Sequence, residues 1–170
     1  SSDLPIAVAA QRRCGLWAAA LLGLGLVAMD LLSLVGHVPY VSWLNYLFCW
    51  GALYQLGISW QAGQLTRRTA IGLGAVSAVA LGLLVGVGPF PVAMISVNGQ
   101  TIQNSSPPSM AMLAFACTQT GIAVALAPAL NRLLRGQRVQ RVLSVANTNV
   151  MALYLWHMVP VVIVAVVVYP

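Results

Sequence analysis

Charge is scarce in this chain. Of 170 residues only 6% are charged, as eight arginines and two aspartates, with neither lysine nor glutamate. An ordinary soluble domain carries roughly 25%, so that class is excluded. Cysteine is scarce as well. Cys14, Cys49 and Cys117 are odd in number, lie in or beside apolar runs and show no CxxC spacing. This excludes a disulfide framework and leaves no metal site, and the three read as small packing residues. No strand precedes Gly72-Leu73-Gly74, which removes a nucleotide loop. A signal peptide places its charge before its apolar stretch, whereas Arg12 and Arg13 follow one. The start at Ser1 without Met, and the end directly after an apolar run, predict a processed chain or an excerpt of a longer one.

Long apolar runs are abundant, with 60% of residues hydrophobic. Five segments reach the roughly 20 residues that cross about 30 Å of hydrocarbon as helix: 14–35, 42–60, 69–87, 109–130 and 148–168. Only helices satisfy their own backbone hydrogen bonds in lipid. The predicted fold is therefore an all-α membrane protein, a five-span transmembrane helical bundle. The arginines occupy alternate connectors: Arg12 and Arg13, then Arg67 and Arg68, then Arg132, Arg135, Arg138 and Arg141. The connectors 36–41 and 88–108 carry no charge. This positive-inside pattern predicts a multi-pass cell-membrane protein with residues 1–13 cytoplasmic and Pro170 extracytoplasmic. Tyr40, Trp43 and Tyr46 would form an outer aromatic belt and Trp60 an inner one. The net charge of +6 does not imply nucleic acid, because every arginine flanks a span and faces anionic headgroups.

Ionisable groups inside a span are costly, so each is a functional candidate. Asp30 lies in the outer third of the first span, with Ser33 and His37 following at i+3 and i+7. Two helical turns, about 10 Å, separate Asp30 from His37, so these are no catalytic triad. Asp30 is either a carboxyl satisfied by polar neighbours or part of a site. In the second span Asn45, Ala52, Gln55 and Ser59 form a polar or small stripe. Such a stripe serves interhelical hydrogen bonding or lines a polar cavity. In the fifth, Asn147, Tyr154 and His157 share one face. His157 is either a general base or relay, or a neutral histidine bonded to a neighbouring helix. Gly82 and Gly86 form a small-xxx-small pair suited to close helix packing.

The outer loop 88–108 either lids a site or merely spans two helix ends. Its Asn98-Gly99 turn signal predicts a hairpin pairing Val92–Val97 with Thr101–Gln103, and Ser106 or Ser109 is expected to cap the next helix. The inner basic loop 131–147 alternates arginines with leucine and valine. It reads as an interfacial amphipathic stretch broken at Gly136.

Three stretches carry a resemblance. Asn45-Tyr46-Leu47-Phe48-Cys49-Trp50 runs on to Tyr54-Gln55-Leu56-Gly57 and Trp60-Gln61-Ala62-Gly63. Asn98-Gly99-Gln100 leads to Asn104-Ser105-Ser106-Pro107-Pro108. Asn147 precedes Met151-Ala152-Leu153-Tyr154-Leu155-Trp156-His157-Met158. In this order they resemble actinobacterial members of the integral membrane acyltransferase-3 family, over residues 14–168. Tyr54, Gln103 and Ala152 depart from the His, Ser and Thr of the family pattern. The resemblance implies transfer of an acyl group, usually acetyl, from acyl-CoA as co-substrate to a hydroxyl of an extracytoplasmic carbohydrate or glycolipid. It also implies a larger bundle of about ten spans, of which this chain supplies the C-terminal portion. The family's catalytic histidine, early in its first helix, has no match here, so the chain is expected to lack it. Within the chain His157 is the catalytic candidate, and Asn45, Gln55, Tyr154 and Asp30 are the cavity-lining candidates. A different class, a non-catalytic membrane module such as a transporter half or flippase-like subunit, is the alternative. The absence of a convincing internal repeat counts against a transporter.

Overall fold

A computed structural model describes residues 9, 12–38, 40–95, 99, 102–156, 159–160 and 162–164, and for residues 138, 151 and 153–155 the backbone alone. It contains the helices α1 (Leu16–Leu34), α2 (Asn45–Gln61), α3 (Arg67–Gly86), α4 (Met110–Leu133) and α5 (Gln137–Trp156). Among the described residues there is no strand. Three helices, α1, α3 and α4, are long and apolar enough to cross a membrane, at 19, 20 and 24 residues. Only 11% of the apolar window of α3 is buried. Trp17, Val76 and Leu83 are 74%, 71% and 60% exposed. Helices that are apolar on their outer faces are stable against lipid rather than water, so the chain is a membrane protein, built of helices throughout its described secondary structure. Helix α2, with 17 residues, extends about 26 Å. One 3-10 turn, Val41–Leu44, lengthens it by about 8 Å.

The chain divides into two compact units, residues 1–126 and 127–170. In the first, Ala19, Leu56 and Cys117 make one buried cluster and Leu65, Ala70 and Val124 another, with Leu16 and Leu73 packed against both. These contacts bring the starts of α1 and α3 together with the later turns of α4. The arginines before α1 and at the start of α3 therefore lie at one end of this unit. Arg67 donates from Nε to the Ala125 carbonyl at 3.3 Å. Local signals place the helix ends. Thr66 is extended and its Oγ1 accepts from Thr69 N–H at 3.3 Å, capping α3. Gly63, at φ 74°, closes α2: it donates to the Trp60 carbonyl at 2.9 Å while Gln64 N–H reaches the Ser59 carbonyl at 2.9 Å.

Close helix contacts are made by small residues, but not by the expected pair. A Cβ on Gly82 or Gly86 would meet nothing within 4 Å. A Cβ on Gly121 would stand 2.6 Å from both the Ala70 carbonyl oxygen and Gly74 Cα. Backbone contact between α3 and α4 thus runs through Ala70, Gly74 and Gly121. Near the middle of α1, a Cβ on Gly25 would lie 2.8 Å from the Phe48 ring. Between α1, α2, α3 and α4 an apolar cavity of about 320 Å³ remains, lined by Ala20, Gly23, Ala52, Leu56, Leu73 and Cys117 among others.

In the second unit, α4 ends at Leu133 and α5 begins at Gln137, so the expected basic loop 131–147 is largely helical. The residues Gln137–Asn147 contain no proline or glycine, and helix propensity does not stop where hydrophobicity stops. Gln140 closes the break by donating from Nε2 to the Leu134 carbonyl at 3.0 Å. Val139, Val142, Leu143, Ala146 and Val150 recur along one stripe of α5, the spacing of an amphipathic helix.

Candidate functional site

Asp30 sits one turn before the end of α1, where the helix dipole disfavours an anion. Its surroundings compensate. Oδ2 accepts from Met110 N–H, the first residue of α4, at 2.5 Å, and Oδ1 accepts from Asn45 Nδ2, the first residue of α2, at 2.5 Å. The carboxyl group thus serves a helix N-terminus, where the local field favours negative charge. Asp30 is 6% exposed and Asn45 fully buried. Among the described residues, the buried Asn45 Oδ1 meets no hydrogen-bond partner. Of the alternatives the sequence leaves open for Asp30, the satisfied carboxyl describes these contacts.

A second centre adjoins the first. Ser109 caps α4, its Oγ accepting from Met112 N–H at 3.2 Å and donating to Asn104 Oδ1 at 2.7 Å. Asn104, fully buried, donates from Nδ2 to the carbonyls of Pro91 and Ala93 at 2.7 and 3.0 Å, and its own carbonyl accepts from Ser109 N–H at 2.9 Å. Among the described residues of the expected hairpin, 92–95 and 102–103, there is no strand; one side-chain amide supplies the Pro91 and Ala93 carbonyls with the donors that a partner strand would have supplied. The rest of the expected pairing, at 96–98 and 101, lies outside the described residues. Tyr46 and Ser106 hydroxyls are 2.9 Å apart, and the Tyr46 ring lies 5.8 Å from that of Trp43.

Over Asp30 and Ser109 opens a pocket of about 160 Å³, lined also by Ser33, Leu34, Ser42, Phe90, Ile102, Gln103 and Pro107. Its wall combines hydroxyl, amide and carboxyl groups with apolar side chains. That mixture suits a hydroxyl-bearing ligand with an apolar face. Its volume of about 160 Å³ is below the roughly 300 Å³ of a complete small-molecule site, so it has room for only part of such a ligand.

The sequence candidates are distributed unevenly. Asp30 borders the pocket, while Asn45 is buried beside it as a partner of Asp30. Gln55 is buried further along α2, its carbonyl accepting from Ser59 Oγ at 2.8 Å. On α2 the larger cavity is lined by Ala52 and Leu56. His37 lies beyond the end of α1, exposed and at φ 50°, so the helical register that would align it with Asp30 stops short of it. The Tyr154 side chain and all of His157 lie outside the described residues. Asn104, Gln103 and Ser42 were not candidates. The signal for Asn104 is local: the loop holds four prolines without N–H donors, so a side-chain amide is the available substitute. Among the described residues no group of three His, Cys, Asp or Glu side chains converges.

Compared with models of known families, with characterised proteins and with solved structures, the chain matches none.

Proposed function

We propose that this chain is part of a membrane-embedded acyltransferase, transferring an acyl group from acyl-CoA to a hydroxyl of an extracytoplasmic carbohydrate or glycolipid. The observation that carries the reading is a convergence. Two of the three stretches behind the family resemblance meet through Tyr46 and Ser106, beside the pocket that holds Asp30, Ser42, Gln103 and Ser109. The arginine-bearing starts of α1 and α3 belong to the other end, which on this reading is cytoplasmic. The five-span count, with α2 and α5 as the additional crossings, and the cell-membrane location belong to the same proposal.

In the reaction the acceptor oxygen attacks the thioester carbonyl, the new C–O bond forms and the C–S bond breaks. The hydroxyl proton passes to a base and then to the departing thiolate. Within this chain His157 is the candidate for that base. Ser33, Ser42 and Gln103 would orient the acceptor. The test supplies radiolabelled acetyl-CoA to the cytoplasmic face of membranes containing the full-length protein. Label in the extracytoplasmic glycan or glycolipid fraction supports the reading. Gln103→Ala and Ser42→Ala should raise KM for the acceptor while leaving kcat within about twofold. No transfer above that of membranes lacking the protein sinks it.

The second reading, a non-catalytic membrane module, is favoured by one observation. The polar atoms around Asp30 and Asn104 largely bond one another, as in a structural clamp. It predicts no label transfer but a loss of partner assembly when Asn104 is replaced.

A further inference from the structure

We infer that the pocket over Asp30 and Ser109 takes one uncharged pyranose ring, two of whose neighbouring hydroxyls donate to the Asp30 carboxylate, so that Asp30 selects neutral over acidic sugars. The inference rests on the acyltransferase reading for its glycan acceptor, and adds which kind of ring that acceptor presents here.

The pocket has unused hydrogen-bonding capacity. An ionised carboxylate offers about four acceptor positions. The protein fills two of them, from Asn45 Nδ2 and Met110 N–H, and Asp30 also lines the pocket. Ser33, Ser42 and Gln103 line it too, each half-buried. Among the described residues their side chains meet no hydrogen-bond partner. Open polar groups around a buried carboxylate are a set of donors and acceptors for a ligand to complete.

The remaining wall and the charge choose the ligand. Phe90 and Ile102 supply apolar surface, which fits the C–H face of a sugar ring but not a bare ion. No lysine, arginine or histidine lines the pocket. A phosphate, sulfate or uronic carboxylate would therefore meet the like charge of Asp30 with nothing to offset it. A cation gains little in exchange, because the N-terminus of α4 already faces that carboxylate. A neutral polyol with one apolar face satisfies both conditions. At about 160 Å³, well below the roughly 300 Å³ of a full small-molecule site, the pocket admits one ring and not a chain of them.

Saturation-transfer difference NMR on the purified full-length protein, in sugar-free detergent and without acyl-CoA, tests the inference. The probes are the methyl pyranosides of glucose, mannose and galactose, each compared with the uronide of the same ring. At least one neutral pyranoside should bind with Kd on the order of 1–10 mM, and its uronide about tenfold more weakly. Asp30→Asn should weaken the neutral ligand about tenfold and bring the neutral and acidic forms within about twofold of each other. A merely structural Asp30 would weaken both forms alike, and an unchanged ratio overturns the inference. So does equal binding of the two forms by the unmodified protein, or no binding of any neutral pyranoside at about 100 mM. The acyltransferase reading fails separately: sugar binding without acyl transfer keeps the subsite and sinks that reading, and transfer without sugar binding does the reverse.

Discussion

Replacing Asp30 should separate hydrogen-bond geometry from charge where one carboxyl group joins the starts of two helices. Asp30→Ala leaves two donors, Asn45 Nδ2 and Met110 N–H, without their acceptor. On scales from water-soluble proteins each stranded buried donor costs about 1–3 kcal/mol, or about 2–6 together. On membrane scales an interhelical hydrogen bond averages about 0.6 and reaches about 1.7 kcal/mol, because the unfolded chain in lipid also finds partners. Asp30 lies near a helix end, between those settings, and the two ranges overlap at about 2–3 kcal/mol. Asp30→Asn should behave differently. Asn45 Oδ1 is buried and has no partner among the described residues, so Asn45 can turn its amide over. The new amide then donates to that oxygen and still accepts from Met110. What is lost is mainly the interaction of the charge with the start of α4, about 0.3–1 kcal/mol, and one donor from Asn45. The predicted loss is about 1 kcal/mol. Reversible unfolding in mixed micelles, followed by circular dichroism against SDS mole fraction, measures both variants. Equal losses for Ala and Asn, or losses below about 0.5 kcal/mol for both, would refute the reasoning.

Gly121→Ala should destabilise by about 1–3 kcal/mol, since its Cβ would meet backbone that moves only if α3 and α4 separate. Gly82→Ala, in open space, should be neutral or stabilising by up to about 1 kcal/mol; the same unfolding assay ranks the pair, and the reverse order defeats the packing assignment. Asn104→Ala removes the donors to Pro91 and Ala93 and the acceptor of Ser109. Limited proteolysis should then cut residues 88–108 faster than in the unmodified protein, and an unchanged rate would show that Asn104 does not hold the loop. His157→Ala in the full-length protein should impair acyl transfer, and full activity at normal membrane abundance removes His157 from the mechanism.

Much of the helical architecture was legible because lipid imposes a simple rule, that long apolar runs must be helices. The α2 stripe was legible too: Asn45, Ala52, Gln55 and Ser59 are all buried, since polar and small residues in an otherwise apolar run belong against other helices. Two kinds of information were missing. The first is register between helices. Gly82 and Gly86 have the right spacing, yet the contact is made by Gly74 and Gly121, because spacing on one helix does not say which turn faces its neighbour. The second is where a helix begins when hydrophobicity does not mark it. Helix α5 starts among arginines and glutamines, whose straight side chains favour helix as well as leucine does.

The polar site was the least legible part, for a physical reason. Periodicity groups Asp30 with Ser33 and His37, all from one segment. The groups that satisfy Asp30 come from elsewhere: Asn45 lies 15 residues away and Met110 80 residues away. One of these partners is a backbone N–H, which every residue but proline possesses, so no side-chain motif could name it. What makes Met110 suitable is only its place at the start of a helix, where N–H groups lack intrahelical acceptors. An acid near the wrong end of its own helix was therefore the readable clue. Such an acid is tolerated only where something offsets the unfavourable field, and a second helix arriving N-terminus first does so while leaving the carboxyl group beside a pocket.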